Sequence, residues 1–312
     1  MNILKRDPAF YKFAAEQAIK MPYYFIRALK PVWRLKHKRF FDQYKTHQAH
    51  LNPLSQRILR DVREHGIAFT HVNEFFEEKK VLPELQRAAD ALISAGTFTT
   101  AKDFLRFFLR NYGDPTDLRD PIVRCLLNPN ILEIASAYFQ MYARLTFFSG
   151  NIAIPKPGVP PKKSQRWHRD GGIEKLCKVF IYLNDVDEGS GPFTYIAGTH
   201  PTGRWRTVAP HKFFGHGSYY PSHENVTRKL QKHGIENNVK ICSGKAGTMI
   251  FCDTLGLHKG GYAATEKRIM LTGEYEYTPL SVSTEKRFSL TPNLQENIAA
   301  LHHLSQYAIK DK

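Results

Sequence analysis

The sequence predicts a mainly β domain flanked by helices. Two patterns carry that expectation. From Arg144 onward, short apolar runs such as Val179-Phe-Ile-Tyr-Leu183 alternate with Gly, Pro, Asn and Ser clusters, which is the signature of strands and turns. Before Arg144, apolar residues recur three and four apart, as in Leu54, Ile58, Leu59 and Val62, which is the signature of helices. With 312 residues the chain can bury a sizeable core as one large domain, or as one domain with an appendage.

Residues 1–49 form a basic arm, with eleven Lys or Arg against three Asp or Glu, half of the net charge of +16. Phe10, Phe13, Ala14 and Ala18 recur at helical spacing, and Pro22 and Pro31 break the arm into short pieces. Tyr23 to Leu29, followed by Lys30, Arg34, Lys36, Lys38 and Arg39, mixes aromatics with cations. That mixture fits a helix lying on an anionic membrane surface or an acidic partner. It also fits a helical cap packed on the domain with its cations in water. The apolar surface of Phe10, Phe13, Tyr23, Tyr24 and Phe25 favours the packed cap, since chains rarely leave so much in water.

The main domain spans 50–312. Leu54, Ile58, Leu59 and Val62 predict a helix that Gly66 stops. Ile67–Val72 reads as a short strand. Leu82–Ile93, Phe104–Leu109, Ile122–Leu127 and Ile131–Phe139 read as helices whose aromatic stripes are core. The β core runs from about 144 to 277. Arg144–Ile154 is its first strand, and a proline-rich loop follows from Pro155 to Pro161. After Val179–Leu183 come Asn184-Asp185-Val186, a Gly-Ser-Gly turn at 189–191 and Tyr195-Ile-Ala-Gly-Thr-His200. Residues 201–238 interrupt the strand pattern with Trp205, His211, Phe213, Phe214, His216, Tyr219, Tyr220 and His223. Such an insertion is expected to be a surface loop with buried aromatic anchors, placed as a lid or substrate wall. Its histidine spacing fits no standard metal site. Arg268–Tyr277 is the last strand. Thr291-Pro292 opens a final helix, 291–309, through Ala300, Leu301, Leu304 and Tyr307.

The chemistry concentrates in Trp167-His168-Arg169-Asp170-Gly171-Gly172 and, about ninety residues on, Gly247-Thr-Met-Ile-Phe-Cys-Asp-Thr-Leu-Gly-Leu-His258. His168 and Asp170, two apart on extended backbone, point to one face. His258 from a distant strand completes two imidazoles and one carboxylate. That set on one face of a metal leaves the other positions open, the arrangement of non-haem Fe(II) oxygenases. A lone His-x-Asp is a weak signal; the strand patterns around it and the distal His carry the reading.

In their order, WHRDGG, FIYLNDVDEGSGPFTYIAGTH, GTMIFCDTLGLHKGG and Arg268 resemble the phytanoyl-CoA dioxygenase family over roughly 144–277. The resemblance implies a double-stranded β-helix, a jelly-roll barrel, that uses Fe(II), 2-oxoglutarate and O2. It implies iron on His168, Asp170 and His258, and hydroxylation of a small or carrier-linked substrate with release of succinate and CO2. Halogenating relatives replace the carboxylate ligand, so Asp170 implies hydroxylation or a related oxidation. The far carboxylate of 2-oxoglutarate would pair with Arg268, whose planar fork suits it and which follows the distal His by the family's distance. Lys267 should face the other way. Asn151 would bond the cosubstrate's carboxylate, and Phe180 would lie beside it; a strand-end polar residue and a core aromatic are the plain alternatives. A barrel acting only as a binding protein, or as a scaffold for a membrane-surface arm, has no need of all four of His168, Asp170, His258 and Arg268. A zinc hydrolase gives Arg268 no role.

Composition bounds the rest. Cys125, Cys177, Cys242 and Cys252 are scattered, with no C-x-x-C. Cys242 and Cys252 flank a turn, but buried reduced thiols in a cytoplasmic protein are the better expectation. The start, MNILKRDPAFYKF, has no apolar h-region of a secretory signal, and no run approaches the length that spans a bilayer. Excess positive charge would steer an anionic substrate. No nucleic-acid-binding module is recognisable.

Overall fold

In a computed structural model of the chain, the described residues are 30–47, 49–111, 118–171, 174–208, 222–277 and 302–309. The expectations for 1–29, for the aromatics of 209–221 and for the start of the last helix lie outside them. The helices are α1 (Lys30–Lys36), α2 (Lys38–Lys45), α3 (Pro53–His65), α4 (Val72–Phe75), α5 (Val81–Ser94), α6 (Pro121–Leu126), α7 (Pro129–Phe139), α8 (His223–His233) and α9 (His303–Ile309). The strands are β1 (Ile67–His71), β2 (Thr99–Lys102), β3 (Leu105–Asn111), β4 (Ala143–Ala153), β5 (Cys177–Tyr182), β6 (Thr194–Ile196), β7 (Val239–Ile241), β8 (Thr248–Cys252), β9 (His258–Lys259) and β10 (Arg268–Tyr277).

Local chemistry sets the helix ends. The Asn52 side chain accepts from the Ser55 N–H at 2.8 Å, Pro53 supplies the first helical residue, and Gly66 ends α3 in the left-handed region at φ 77°. Asp120 and Asn128 cap α6 and α7 in the same way, each followed by Pro. Buried Ile58, Leu59 and Val62 are the stripe that seats α3.

Seven strands form an antiparallel sheet in the order β1-β8-β5-β10-β4-β3-β2, and three more form a second in the order β7-β6-β9. Side-chain alternation gives the large sheet two apolar faces. Val179, Ile181, Met249, Phe251, Leu271 and Tyr275 pack against helix residues such as Ile58, Leu85, Ile122 and Ile131. Phe180, Tyr182, Ile250, Cys252 and Met270 pack instead with Phe193 and Tyr195, on and beside the small sheet. The space between the sheets therefore has an apolar lining, and polar groups on that face stand out.

One predicted helix is a strand. Phe104 and Phe108, four apart, look helical, but Leu105–Asn111 pairs with β4 on one side and β2 on the other. The ladder shifts register between Phe107 and Leu109, so Phe108 is an extra residue in a bulge, buried against Gly150. A bulge breaks the two-residue period, and pairing with β4 outweighs local preference.

The described part of the basic arm packs on the domain. Trp33 is buried; its Nε1–H donates to the Tyr277 hydroxyl at 3.1 Å, and its ring meets Tyr277 and Phe41 edge-on. Val32 and Leu35 on the same helix face water. Part of the 201–238 insertion is folded rather than loose. Trp205, Val208, Val226, Leu230 and Ile235 pack with Trp167, Ile196 and Leu257. All four cysteines are buried free thiols, as expected. Among the described residues, no helix is long and apolar enough to cross a membrane.

Candidate metal centre

His168 and His258 are held to each other by backbone. The His168 N–H donates to the His258 carbonyl at 2.8 Å, and the reverse bond is 2.9 Å. Two residues on, the Asp170 N–H donates to Thr254 O at 2.9 Å. This short ladder turns all three side chains to one spot. Asp170 Oδ1 lies 3.8 Å from His168 Nε2 and 3.9 Å from His258 Nε2. The three ligand atoms all lie within 4.8 Å of one another, the one such cluster among the described residues.

Hydrogen bonds behind the rings select the tautomer. His168 Nδ1 faces Arg166 O at 2.8 Å, and His258 Nδ1 faces Gly256 O at 3.0 Å. A carbonyl only accepts, so each Nδ1 carries the proton and each Nε2 turns its lone pair toward Asp170. Burial, with His168 as a neighbour, pushes the His258 pKa down to about 3, so the ring is neutral at ordinary pH. For Asp170, burial raises the pKa, but Lys178 and the two imidazoles outweigh it and hold the carboxyl well below its usual range. Lys178 Nζ sits 2.8 Å from Asp170 Oδ2 and 2.8 Å from Glu274 Oε2. Those carboxylates overcome the effect of burial on Lys178 and keep it charged. Lys178 thus occupies one oxygen of Asp170 and leaves the other facing the imidazoles. Two neutral nitrogens and one anionic oxygen, converging from one side, are a donor set that fits a divalent transition metal.

Arg268 opens β10 and is buried on the inter-sheet face, while Lys267 beside it is exposed, as expected. Its Nη1 donates to the carbonyls of Gly191 and Gly260. Its Nε has no partner, and among the described residues no carboxylate pairs with it. Asn151, which sits opposite Met270 on β4, is buried with its Oδ1 unpartnered. A buried guanidinium without an anion is costly, and the orphaned Arg268 Nε–H suits a carboxylate ligand; the Asn151 Oδ1 only accepts, so Asn151 would meet a carboxylate through its Nδ2 amide hydrogens. Phe180 lies in the apolar inter-sheet cluster, its ring 4.8 Å from Phe193.

A second set of residues, not anticipated from the sequence, braces the site from behind. Arg169 is buried, and its guanidinium donates to the carbonyls of Thr199 at 2.5 Å, Leu255 at 2.6 Å and Arg206 at 3.1 Å. Asp253 accepts from the Tyr138 hydroxyl at 2.6 Å and the Leu255 N–H at 2.9 Å. Tyr195 donates to the Asp253 carbonyl at 2.8 Å. Together they fix the 253–258 loop that delivers His258. Lys178 and Glu274 were missed too, although Lys178 is the one charge in Cys177–Tyr182, at the parity of Phe180, and Glu274 shares the parity of Arg268 on its strand. A surface cleft of about 600 Å³, lined by Glu74, Phe75, Glu78, Lys80, Glu84 and Arg124 among others, contains none of these residues.

No protein-family profile matches the chain, and no curated protein matches it by sequence. Solved structures do. The epimerase SnoN, in complex with Fe3+, alpha ketoglutarate and nogalamycin RO, aligns over 77% of this chain and 96% of its own, with 14% identity and a TM-score of 0.52. EctD from S. alaskensis with bound Fe aligns over 78% of this chain and 82% of its own, with 17% identity and a TM-score of 0.51. EctD with 2-oxoglutarate and 5-hydroxyectoine gives 18% identity, 77% and 82% coverage and a TM-score of 0.50. At such identities the likeness is one of fold.

Proposed function

We propose that this chain is an Fe(II)- and 2-oxoglutarate-dependent oxygenase of the phytanoyl-CoA dioxygenase type. The observation that carries the reading is the His168, Asp170 and His258 set, two buried imidazoles and a half-buried carboxylate, with both Nε2 lone pairs and one carboxylate oxygen turned to a common point. The two sheets would be the halves of a double-stranded β-helix, and the fold neighbours crystallised with iron and 2-oxoglutarate support that architecture.

His168, Asp170 and His258 would hold the iron, and Arg268 with Asn151 would receive 2-oxoglutarate. The chemistry these groups would supply there is activation of O2 coupled to decarboxylation of 2-oxoglutarate to succinate and CO2, for oxidation of a C–H bond in a small or carrier-linked substrate. The protein's part is placement. Carbonyl bonds on each Nδ1 hold the imidazoles in register. Lys178 keeps Asp170 ionised and presents a single oxygen. Gly191 and Gly260 orient the Arg268 fork, and Phe180 with Phe193 keeps the space between the sheets dry. Arg268, with its Nε orphaned and no carboxylate beside it among the described residues, argues against a catalytically silent barrel.

The test is iron-dependent succinate release from 2-oxoglutarate. His168→Ala and Asp170→Ala should each abolish it while leaving the melting transition in place. Full turnover in both variants would sink the assignment.

A further inference from the structure

We infer that Lys178 and Glu274 are positioning residues that restrict Asp170 to one ligand oxygen and so keep the last position on the metal open. This rests on the metal site of the oxygenase reading above and goes beyond it by assigning what that open position depends on, with Glu274 as the anchor.

A carboxylate has two equivalent oxygens and can give a metal one or both. Two imidazoles and one carboxylate oxygen fill one face of an octahedron and leave the three positions opposite it. A 2-oxo acid chelates through two atoms, which leaves a single position for O2. If Asp170 gave both oxygens, that position would be lost. Nothing in the carboxylate itself prevents this, so its surroundings must.

The two oxygens of Asp170 have different surroundings. Oδ1 lies 3.8 Å from His168 Nε2 and 3.9 Å from His258 Nε2, whereas Oδ2 lies 2.8 Å from Lys178 Nζ. That is the length of a charge-assisted hydrogen bond, roughly twice as strong as a neutral one. Oδ2 is therefore held on the ammonium while Oδ1 faces the imidazoles.

A lysine alone would be a loose restraint, because its ammonium rides on a flexible four-carbon stem. Glu274 removes that freedom. It stands directly opposite Lys178 in the β5–β10 ladder, and its Oε2 takes the same ammonium at 2.8 Å. On its other edge β5 is paired with β8, where Lys178 faces Cys252. On its other edge β10 is paired with β4, where Glu274 faces Phe147. Both stems thus start from strands hydrogen-bonded on each side, and the ammonium is fixed between two carboxylates. Side-chain exposure is 16% for Lys178, 24% for Asp170 and 20% for Glu274, so water competes little for these bonds. Replacing such a triad by apolar residues is often neutral for stability or better. What this one supplies is the orientation of Asp170.

The experiment loads the full chain with Mn(II), whose bound waters speed the relaxation of bulk-water protons in proportion to their number. Lys178→Met combined with Glu274→Gln removes one charge of each sign at nearly constant shape and strands neither, which favours a folded variant. Relaxation enhancement per bound Mn(II) should fall by about a third, from three open positions to two. With 2-oxoglutarate added, wild type should keep the enhancement of one water and the double variant almost none. Mn(II) affinity should hold, because the freed oxygen adds a bond to the metal. Glu274→Gln alone should reproduce part of the fall, and no fall at all would remove Glu274 from the assignment. The inference fails if relaxation per bound Mn(II) is unchanged in the double variant. It fails equally if that variant simply loses Mn(II), as a merely structural role requires. The oxygenase reading is tested apart, by the visible charge-transfer band that anaerobic Fe(II) and 2-oxoglutarate should give wild type. Without the band that reading falls, while the Mn(II) comparison made without 2-oxoglutarate still decides the inference.

Discussion

Arg268 has two carbonyls for partners, an orphaned Nε and, among the described residues, no acid beside it, which suits the proposed role in binding 2-oxoglutarate. Removing a partner from a buried charge pair costs about 3–5 kcal/mol, so Arg268→Ala should weaken 2-oxoglutarate binding by two orders of magnitude or more. Iron binding should survive, and equilibrium titration of each ligand separates the two; unchanged 2-oxoglutarate affinity would shift the role to Lys259 or Lys267. His200 makes a different kind of prediction. It is fully buried, its Nε2 bonds Arg63 O at 3.1 Å, and its Nδ1 has no partner. Burial pushes its pKa from 6.5 down to about 4. Between those values the unfolded chain takes up a proton that the folded chain refuses. Stability therefore falls as pH drops from 6.5 to about 4 and is flat below, by roughly 3 kcal/mol in full. His200→Gln should lose that slope relative to wild type in melting curves from pH 7 to pH 4. Parallel curves would show that His200 contributes none of the acid sensitivity.

Strand β10 and the Gly-Ser-Gly turn act as a unit. Gly191 sits at φ 69°, and a Cβ there would run into the backbone of Tyr262 and Ala263. Its carbonyl accepts from Arg268. Gly191→Ala should cost at least about 1–2 kcal/mol from the left-handed backbone alone and should also loosen 2-oxoglutarate binding by disturbing the guanidinium. A folded variant with unchanged 2-oxoglutarate affinity would disconnect the turn from the pocket. Elements built on strong local periodicity, such as α3, α7 and β10, were readable from the chain. Strand β3 was not, because a bulge at Phe108 disguises its period and only β4 explains it. Lys178 and Glu274 show the same division. Each is visible as a charge in its strand, but that Lys178 joins Glu274 to Asp170 depends on β5 pairing with the distant β10.

Across the whole molecule, the basic arm is tied to the last strand through Trp33 and Tyr277. Trp33→Ala should lower stability by about 3–5 kcal/mol, the usual cost of emptying a large aromatic site. Removal of 1–49 should lower the melting temperature or cause aggregation, and wild type should not co-sediment with acidic vesicles. Steeply salt-dependent vesicle binding that truncation abolishes, with no loss of stability, would reverse that view and make the arm a surface anchor. Its exposed Val32 and Leu35, among cations, give that outcome something to act through.

The sequence by itself determined the helical front and β core, the three metal-ligand candidates and the choice of Arg268 over Lys267. Those follow from local periods, from two-residue parity on a strand and from motif order, all of which are written along the chain. Tertiary structure decided the tautomers of His168 and His258, the grip of Lys178 on one oxygen of Asp170 and the orphaned Nε of Arg268, which meets no carboxylate among the described residues. It also decided the fate of Phe104–Leu109 and the seat of Trp33. Each depends on groups far apart in sequence meeting in a space with little water, where burial raises the energetic weight of every charge and every hydrogen bond.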